Sequence, residues 1–213
     1  SGVGAVAGTG MGTVACDYDA DGDTDVFVCN DVKRNFFFQN DGHGRFQESG
    51  LAVGVAYNVF GAETGSMGVD CGDYDNDGRL DFFMTDYQGE MPVLYRNLGD
   101  GSFEDVTLKT GAGAGSFPHV KWGTGFVDFD NDGDRDLYVA CGHLQDLVDE
   151  IDSTTSFHAR NILLMNTGDG KFTNVSDSSG DGMLVKLASR GAAFGDLDGD
   201  GFVEYLCRSP RGI

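Results

Sequence analysis

Residues 17–25 read Asp-Tyr-Asp-Ala-Asp-Gly-Asp-Thr-Asp, and related nine-residue stretches recur at 73–81, 128–136 and 196–204. In every copy, carboxylates occupy positions 1, 3, 5 and 9, and glycine occupies position 6. Carboxylate oxygens are the ligands that Ca²⁺ prefers, and a short loop can surround the ion only if it turns sharply at a glycine. The pattern therefore predicts four calcium loops, which we call acidic loops 1 to 4.

The residues around each loop decide which kind of calcium fold this is. An EF-hand needs a bidentate Glu at position 12 and an exiting helix. Position 12 here holds Val28, Met84, Val139 and Cys207, none of which can bind calcium. The loops are followed by short apolar runs and preceded by stretches of small residues, such as 10–15, and both patterns are typical of packed strands. Each acidic loop is therefore predicted to connect two strands, which excludes EF-hand and dockerin folds.

A second motif lies between the loops, at residues 37–46, 94–103 and 163–172. An apolar run, an Asn, a turn with glycine and a returning aromatic residue predict a β-hairpin. One repeat then contains four antiparallel strands in roughly 55–60 residues, the content of one propeller blade. A β-sandwich would not require the same strand-loop-strand pattern four times. The predicted fold is all-β, a β-propeller of four-stranded antiparallel blades with about three and a half blades present.

The predicted blades span approximately residues 10–60, 61–120, 121–188 and an incomplete 189–213. An open arc of blades leaves sheet faces uncovered at both ends, because a propeller hides its edges by closing into a ring. We therefore expect these residues to form part of a larger propeller, with assembly through the open ends. The alternative is a closed four-bladed ring in which residues 1–9 complete the last blade.

The composition limits the classes of partner and the cellular locations that we expect for this protein. The formal net charge is -21, and eighteen of the 35 acidic residues lie in the acidic loops. No basic face is available for phosphates, so a nucleic-acid partner is not expected. No apolar run reaches the roughly 18–20 residues of a membrane span. Calcium loops of extracellular modules often bind with Kd of about 10⁻⁴–10⁻³ M, so we expect a secreted, cell-surface or periplasmic protein.

The five cysteines leave at least one thiol without a partner in the chain, and no Cys-x-x-Cys pair is present. A zinc or redox site is therefore not expected. The four histidines, His43, His119, His143 and His158, are scattered, and no nucleophile motif accompanies them. The sequence predicts no catalytic residues and no cofactor besides Ca²⁺, with up to four ions, one in each loop.

Residues 73–81, followed by 94–107, resemble the FG-GAP/VCBS repeat of integrin-α-like calcium propellers. Residues 190–198 and Cys141-Gly142-His143 resemble more narrowly the cartilage-acidic-protein/UnbV-like branch. The resemblance implies a seven-bladed propeller, secreted or surface-bound, with calcium between the first and second strands of a blade.

The resemblance also implies a ligand set for each ion. The side-chain ligands would be Asp17, Asp19, Asp21 and Asp25; Asp73, Asp75, Asp77 and Asp81; Asp128, Asp130, Asp132 and Asp136; and Asp196, Asp198, Asp200 and Glu204. Position 7 would contribute a backbone carbonyl, from Asp23, Arg79, Asp134 and Phe202. Glu204 departs from the pattern, and its longer side chain is expected to shift the fourth cation.

The strand order predicts where a ligand would bind. The acidic loops and the Asn-Gly turns should lie on one face of the ring, and the remaining connections on the other. We expect a protein or carbohydrate ligand on that other face, near residues 142–160 and Trp122, with Leu144, Leu147, Val148 and Ile151 on a short amphipathic helix. The predicted function is a non-catalytic, calcium-stabilised binding or adhesion module. A secreted propeller enzyme acting on polysaccharide and a structural subunit of an extracellular assembly remain alternatives.

Overall fold

The strand-loop-strand repeats fold as a series of antiparallel sheets in the computed structural model, which describes residues 1–209. The strands are β1 Gly10–Cys16, β2 Asp25–Asn30, β3 Phe36–Asn40, β4 Phe46–Glu48, β5 Val69–Gly72, β6 Asp81–Met84, β7 Val93–Asn97, β8 Phe103–Asp105, β9 Lys121–Val127, β10 Asp136–Cys141, β11 Ile162–Asn166, β12 Phe172–Asn174, β13 Gly191–Gly195 and β14 Glu204–Arg208. Three one-turn helices lie in the connections: α1 Gly50–Val53, α2 Thr107–Thr110 and α3 Asp181–Leu184.

Each sheet pairs its strands in chain order. The orders are β1-β2-β3-β4, β5-β6-β7-β8 and β9-β10-β11-β12, and β13 pairs with β14 in a two-stranded sheet. We call these sheets blades 1 to 3 and half-blade 4. All pairs are antiparallel, so the predicted all-β fold with about three and a half blades is confirmed. Residues 210–213 of the predicted fourth blade lie outside the described residues.

The first strands of successive blades lie side by side, as they do around the axis of a propeller. β1 contacts β5, β5 contacts β9, and β9 contacts β13. A Cβ atom on Gly12 would lie 2.2 Å from the carbonyl oxygen of Met67, and one on Gly68 would lie 2.1 Å from that of Trp122. Only glycine permits these approaches. The small residues that precede the loops therefore let neighbouring blades meet.

Apolar side chains fill the space between blades. Phe27 and Phe37 of blade 1 pack on Phe82 of blade 2, with ring centroids 5.1 and 5.8 Å apart. Between blades 2 and 3, Phe83 and Leu94 belong to the same buried cluster as residues of β10 and β11. The second strands β6 and β10 are buried along their whole length. Stability therefore comes from contacts between sheets, since a blade alone would expose both faces.

Two details differ from the sequence predictions. Residues 1–9 lie against blade 1, where Phe46 N donates to Ser1 O and Asp31 N donates to Thr9 O, so the four-bladed ring closed by these residues is wrong. The connection 142–160 forms a single 3-10 turn at Val148–Glu150 rather than an amphipathic helix.

The five cysteines are all free thiols, and Cys29 and Cys141 are buried. Cys29 and Cys141 act as small buried residues of the sheets, whereas Cys207 Sγ accepts a hydrogen bond from Asn161 Nδ2 at 3.5 Å. No helix among residues 1–209 is both long and apolar enough to cross a bilayer.

Candidate metal centres

The four acidic loops occupy equivalent places in the fold. Each joins the first strand of a blade to the second, and all four lie at the end of the strands that we call the loop face. The glycine at position 6 has a positive φ in every loop, between 85° and 96° at Gly22, Gly78, Gly133 and Gly201. The residue at position 4 has a positive φ as well, at Ala20, Asn76, Asn131 and Gly199. These two left-handed residues turn the chain back on itself, which lets carboxylates separated along the loop come together.

The carboxylate at position 1 organises the loop. Asp17 accepts hydrogen bonds from the backbone N–H of Asp21 and Gly22, at 3.1 and 3.0 Å. Acidic loops 2 and 3 repeat both bonds. Loop 4 differs, because Asp196 accepts from Gly199 N at 2.7 Å and Gly201 N at 3.0 Å. In the fourth loop, one of the two hydrogen bonds therefore comes from position 4 instead of position 5, and the bond from position 6 is kept.

Three of the predicted ligand positions converge in every loop. The carboxylates at positions 1, 3 and 9 each bring one oxygen to within 4.8 Å of the others. The groups are Asp17, Asp19 and Asp25; Asp73, Asp75 and Asp81; Asp128, Asp130 and Asp136; and Asp196, Asp198 and Glu204. Three carboxylate oxygens at this separation repel one another strongly and have the chemistry of a hard-cation site.

The carboxylates at position 5 lie outside these groups. One oxygen of each instead accepts the backbone N–H of position 7, at 2.9–3.1 Å. The residues are Asp21, Asp77, Asp132 and Asp200, paired with the N–H of Asp23, Arg79, Asp134 and Phe202. In loop 2 the other oxygen of Asp77 pairs with Arg79 and Arg96.

The buried oxygens in loops 1 and 2 fit a bound cation. Asp25 Oδ2 and Asp75 Oδ1 are buried and have no hydrogen-bond partner. A buried carboxylate oxygen without a partner is costly, by roughly 1–3 kcal/mol or more. Calcium bound between the three carboxylates would satisfy these oxygens and neutralise the repulsion. The residues present therefore fit the ion that the sequence predicts.

The position-9 carboxylate joins the loop to the hairpin of the same blade. Asp25, Asp81 and Asp136 each accept the backbone N–H of the hairpin Asn at 2.8 Å. Burial raises the pKa of Asp81 to about 7 and the pKa of Asp25 and Asp136 to about 6, although these hydrogen bonds oppose the shift. A cation beside the carboxylate would favour its charged form and lower these pKa values.

The hairpin asparagines join each blade to the preceding one. Asn97 Nδ2 donates to the carbonyl oxygen of Tyr18 in loop 1 at 2.9 Å, and Asn166 Nδ2 donates to that of Tyr74 in loop 2 at 2.8 Å. The tyrosine ring also packs on the next blade, since the ring centroids of Tyr18 and Phe103 are 5.7 Å apart. From the sequence, these asparagines are predicted only as turn residues. Their recurrence at one position of all three hairpins was the signal of a further role.

Acidic loop 2 carries its own positive charges. Arg96 Nε lies 2.7 Å from Asp75 Oδ2, and Arg96 and Arg79 both pair with Asp77. These ion pairs are partly exposed and contribute little to stability alone. They lower the negative potential at loop 2, so its affinity for a cation is expected to be lower than that of loop 3.

A second group of buried charges lies at the opposite end of the strands, which we call the connection face. Lys121 Nζ donates to the carbonyl oxygens of Tyr87, Glu90 and His119, at 2.9–3.0 Å. Asp86 accepts from Thr64 Oγ1 at 3.1 Å, and its Oδ2 has no partner. Burial raises the pKa of Asp86 to about 7 and lowers that of Lys121 to about 8. Neither residue belongs to a repeated motif, so the sequence does not predict either of them as a site residue.

The residues predicted to border a ligand site have mostly structural contacts. Arg190 covers the Trp122 ring at 4.4 Å, and Trp122 Nε1 donates to Gly142 O. His143 is buried beside Tyr87, with 3.2 Å between the Tyr87 hydroxyl and Nε2. Residues 142–160 begin after Cys141, at the end of β10 far from acidic loop 3, and therefore lie on the connection face.

A cleft lies on the connection face, where the connections on both sides of blade 2 meet residues of that blade. It has a volume of about 290 Å³, and its exposed apolar residues are Val59, Phe60, Leu108 and Phe117. The lining also includes three carboxylates, Glu63, Glu90 and Asp105. The cleft combines apolar surface with hydrogen-bond acceptors.

A family model described as an FG-GAP-like repeat matches this chain twice, over residues 17–84 and 73–139. No curated protein matches the chain. Among solved structures, a lectin from Agrocybe aegerita that recognises non-reducing terminal N-acetylglucosamine matches with 17% sequence identity and a TM-score of 0.39. The alignment covers 92% of this chain and 59% of that chain, so the present chain spans about three fifths of the length of the lectin.

Proposed function

The chain belongs to the FG-GAP-like repeat family, and from this we propose that it is a calcium-stabilised, non-catalytic binding or adhesion module. Calcium would hold the blades in place on the loop face, and a ligand would bind on the connection face. The narrower likeness to the cartilage-acidic-protein/UnbV-like branch stays a prediction.

One observation supports the calcium role most directly. Acidic loop 1 is hydrogen-bonded to blade 2, because Asn97 Nδ2 donates to Tyr18 O. Acidic loop 2 is bonded to blade 3 in the same way, because Asn166 Nδ2 donates to Tyr74 O. The order of a loop therefore sets the position of the next blade. Without a cation, the three converging carboxylates repel one another and loosen the loop, and the bonds to the next blade weaken with it.

We propose the same coordination in each loop. The carboxylates at positions 1, 3 and 9 would bind the ion directly, and the second oxygen at position 5 and the carbonyl of position 7 would complete the shell. In loop 2 the position-5 oxygen, Asp77 Oδ2, would have to exchange its ion pairs with Arg79 and Arg96 for the cation. Position 7 holds residues as different as Asp23, Arg79 and Phe202, which suits a main-chain contribution. Hard oxygen donors in this number favour calcium over zinc or copper.

The calcium affinity expected of these loops indicates in which compartment the protein works. Loops of this type in extracellular modules often bind with Kd of about 10⁻⁴–10⁻³ M, far above the calcium level of a cytosol. We therefore propose that the protein works outside the cytoplasm, as a secreted, cell-surface or periplasmic protein.

The cleft that contains Phe60 and Phe117 is our candidate for the ligand site. Phe60 is 82% exposed and Phe117 is 55% exposed, which is unusual for residues of this size. The carboxylates beside them are held in place, since Glu90 accepts Gly65 N at 2.8 Å and Asp105 accepts Val59 N at 3.2 Å. Fixed acceptors next to exposed aromatic rings suit a protein or carbohydrate ligand that offers hydrogen-bond donors on an apolar surface.

Binding arrays test this function. The calcium-loaded chain is applied to an array of oligosaccharides and an array of basic peptides, beside the double variant Phe60→Ser/Phe117→Ser. Leu51→Ser is the control, because Leu51 is a 68% exposed apolar residue that lies outside the cleft and outside the acidic loops. We expect binding that is lost in the double variant, kept in the control and reduced by chelator. Binding that the double variant retains would contradict the proposed site.

A further inference from the structure

Two cysteines from neighbouring blades lie side by side where the first strands of these blades meet. Cys16 is the last residue of β1, and Cys71 lies in β5, the first strand of the next blade. These two strands contact each other. The Cys16 thiol donates a hydrogen bond to the sulfur of Cys71. The two sulfurs are therefore direct neighbours across the interface between blades 1 and 2.

Both cysteines face the space between the two blades. Side chains two residues apart share one side of a strand, so Cys16 lies on the same side of β1 as Val14, and Cys71 on the same side of β5 as Val69. All four side chains pack against the apolar cluster that blades 1 and 2 form together. Each of the two cysteines is only partly buried, so a small molecule can reach the pair.

The next interface shows how closely the backbones approach at these positions. Cys16 is the residue directly before its acidic loop, and Cys71 is the second residue before the next loop. The same two positions between blades 2 and 3 hold Gly72 and Phe126. A Cβ atom on Gly72 would lie 2.8 Å from the Cβ atom of Phe126. A disulfide requires Cβ atoms about 3.5–4.5 Å apart, so the first strands approach at least as closely as a disulfide requires.

The other three cysteines have different neighbours. Cys29 and Cys141 are buried, and their thiols donate to backbone carbonyl oxygens at 3.9 and 3.7 Å. Cys207 Sγ lies 2.8 Å from the hydroxyl oxygen of Tyr138. No Cys-x-x-Cys spacing indicates the pair in the sequence, because its two members come from different blades.

We propose that Cys16 and Cys71 form a disulfide bond that joins blade 1 to blade 2. The oxidant is a disulfide, such as oxidised glutathione. One cysteine attacks it as the thiolate, which forms a mixed disulfide and releases one thiol; the other cysteine then attacks the mixed disulfide and releases the second thiol. The two cysteines lose two electrons and two protons, and the oxidant becomes two thiols.

The bond would join the blades where acidic loops 1 and 2 begin. Cys16 directly precedes Asp17, and Cys71 lies two residues before Asp73. A disulfide stabilises a fold mainly by restricting the unfolded chain, so it would act with or without bound calcium. Its presence in the cell rests on the proposed location outside the cytoplasm, where disulfides persist. Its formation in the purified chain is independent of that location and of the proposed ligand site.

Peptide mapping tests the proposal. The calcium-loaded chain is incubated with an excess of oxidised glutathione and then unfolded, its free thiols are alkylated, and its peptides are identified by mass spectrometry. We expect one linked pair of peptides that contains Cys16 and Cys71, with the other three of the five cysteines alkylated. A chain that is oxidised while unfolded in urea should not select this pair, because the folded interface is what brings the sulfurs together.

Thermal unfolding in chelator provides a second measurement. The oxidised chain should have a Tm at least about 4 °C above that of the same chain reduced with dithiothreitol. Cys71→Ser should abolish this difference, whereas the control Cys207→Ser, at another partly exposed strand cysteine, should keep it. Full alkylation of Cys16 and Cys71 after oxidation of the native chain would overturn the proposal. Linkage of either residue to another cysteine, or a Tm difference that Cys71→Ser retains, would overturn it as well.

Discussion

The loop face and the connection face of this protein are built in opposite ways. On the loop face, every complete blade repeats the same bonds between the same residue types, such as Asp81 with Asn97 and Asp136 with Asn166. On the connection face, the contacts differ from blade to blade, as Lys121 with its carbonyl oxygens and Trp122 with Arg190 illustrate. The contacts on the loop face are repeated from blade to blade, and the contacts on the connection face each occur once.

This difference separates stability from recognition. A repeated contact can hold blades together but gives every blade the same surface, so it offers little basis for choosing a ligand. The connection face has unequal loops and an exposed aromatic cleft, which are the features of a binding surface. Changes on the loop face should therefore alter stability, and changes in the cleft should alter binding.

The largest effect of a single substitution is expected at position 9 of a loop. The Asp81 carboxylate accepts the backbone N–H groups of Tyr74 and Asn97. Asp81→Asn leaves one of these N–H groups without an acceptor, and it weakens the proposed calcium ligand set. We expect a loss of about 1–3 kcal/mol in unfolding free energy in chelator, and a larger loss in calcium. Urea unfolding under both conditions measures the two losses. Equal losses would mean that loop 2 binds no calcium.

The bonds between blades should have an intermediate effect. Asn166→Ala leaves the buried carbonyl of Tyr74 without its donor and should lower the unfolding free energy by about 1–3 kcal/mol. Asn40→Ala is the matched control, since Asn40 Nδ2 donates only to the exposed carbonyl of Thr24 in its own blade. We expect the control to lose less than half as much. Similar losses would contradict the role of these asparagines between blades.

On the connection face, the stability effect should depend on pH. Burial raises the folded-state pKa of Asp86 to about 7, so its contribution to stability is complete below its ordinary pKa of 3.8 and is lost as the pH rises through about 7. The side chain of the Asp86→Asn variant stays neutral at every pH. The pKa shifts of the loop carboxylates are the same in the variant and the wild type, so their effects cancel in the comparison. The variant should therefore gain stability relative to the wild type between pH 5 and 7.5, by at most about 1.4 kcal/mol per pH unit. A difference that is constant over this range would contradict the assignment.

The smallest stability effect is expected in the cleft. Phe60→Ser removes a side chain that is 82% exposed, so the unfolding free energy should change by no more than about 0.5 kcal/mol. Thermal unfolding in calcium measures this change. A destabilisation above about 1 kcal/mol would show that Phe60 supports the fold, and the distinction between the two faces would fail at this residue.

The comparison of faces also explains what the sequence could predict. The blades and the loop face followed from residues that recur, because carboxylates at fixed spacing and Asn before a Gly turn impose the same local geometry each time. The sequence does not predict Asp86 and Lys121 as partners, because they lie 35 positions apart, Asp86 in a connection and Lys121 at the start of β9. Nothing local indicates that tertiary folding brings them together. Residues 142–160 were misjudged for a similar reason. Their apolar spacing fits a helix, but Val148 alone of the four apolar residues is buried, and one turn is all that forms.

The central claim is that calcium on the loop face holds the blades together, and a calcium titration of unfolding tests it most directly. Urea unfolding is followed at pH 7.5 from chelator to 10 mM free calcium, with magnesium as the control ion. Each occupied site should add about 2.7 kcal/mol at a free calcium concentration 100 times its Kd, and magnesium should add less, since it requires near-ideal octahedral geometry. An unfolding free energy that is the same in chelator and in saturating calcium would contradict the account.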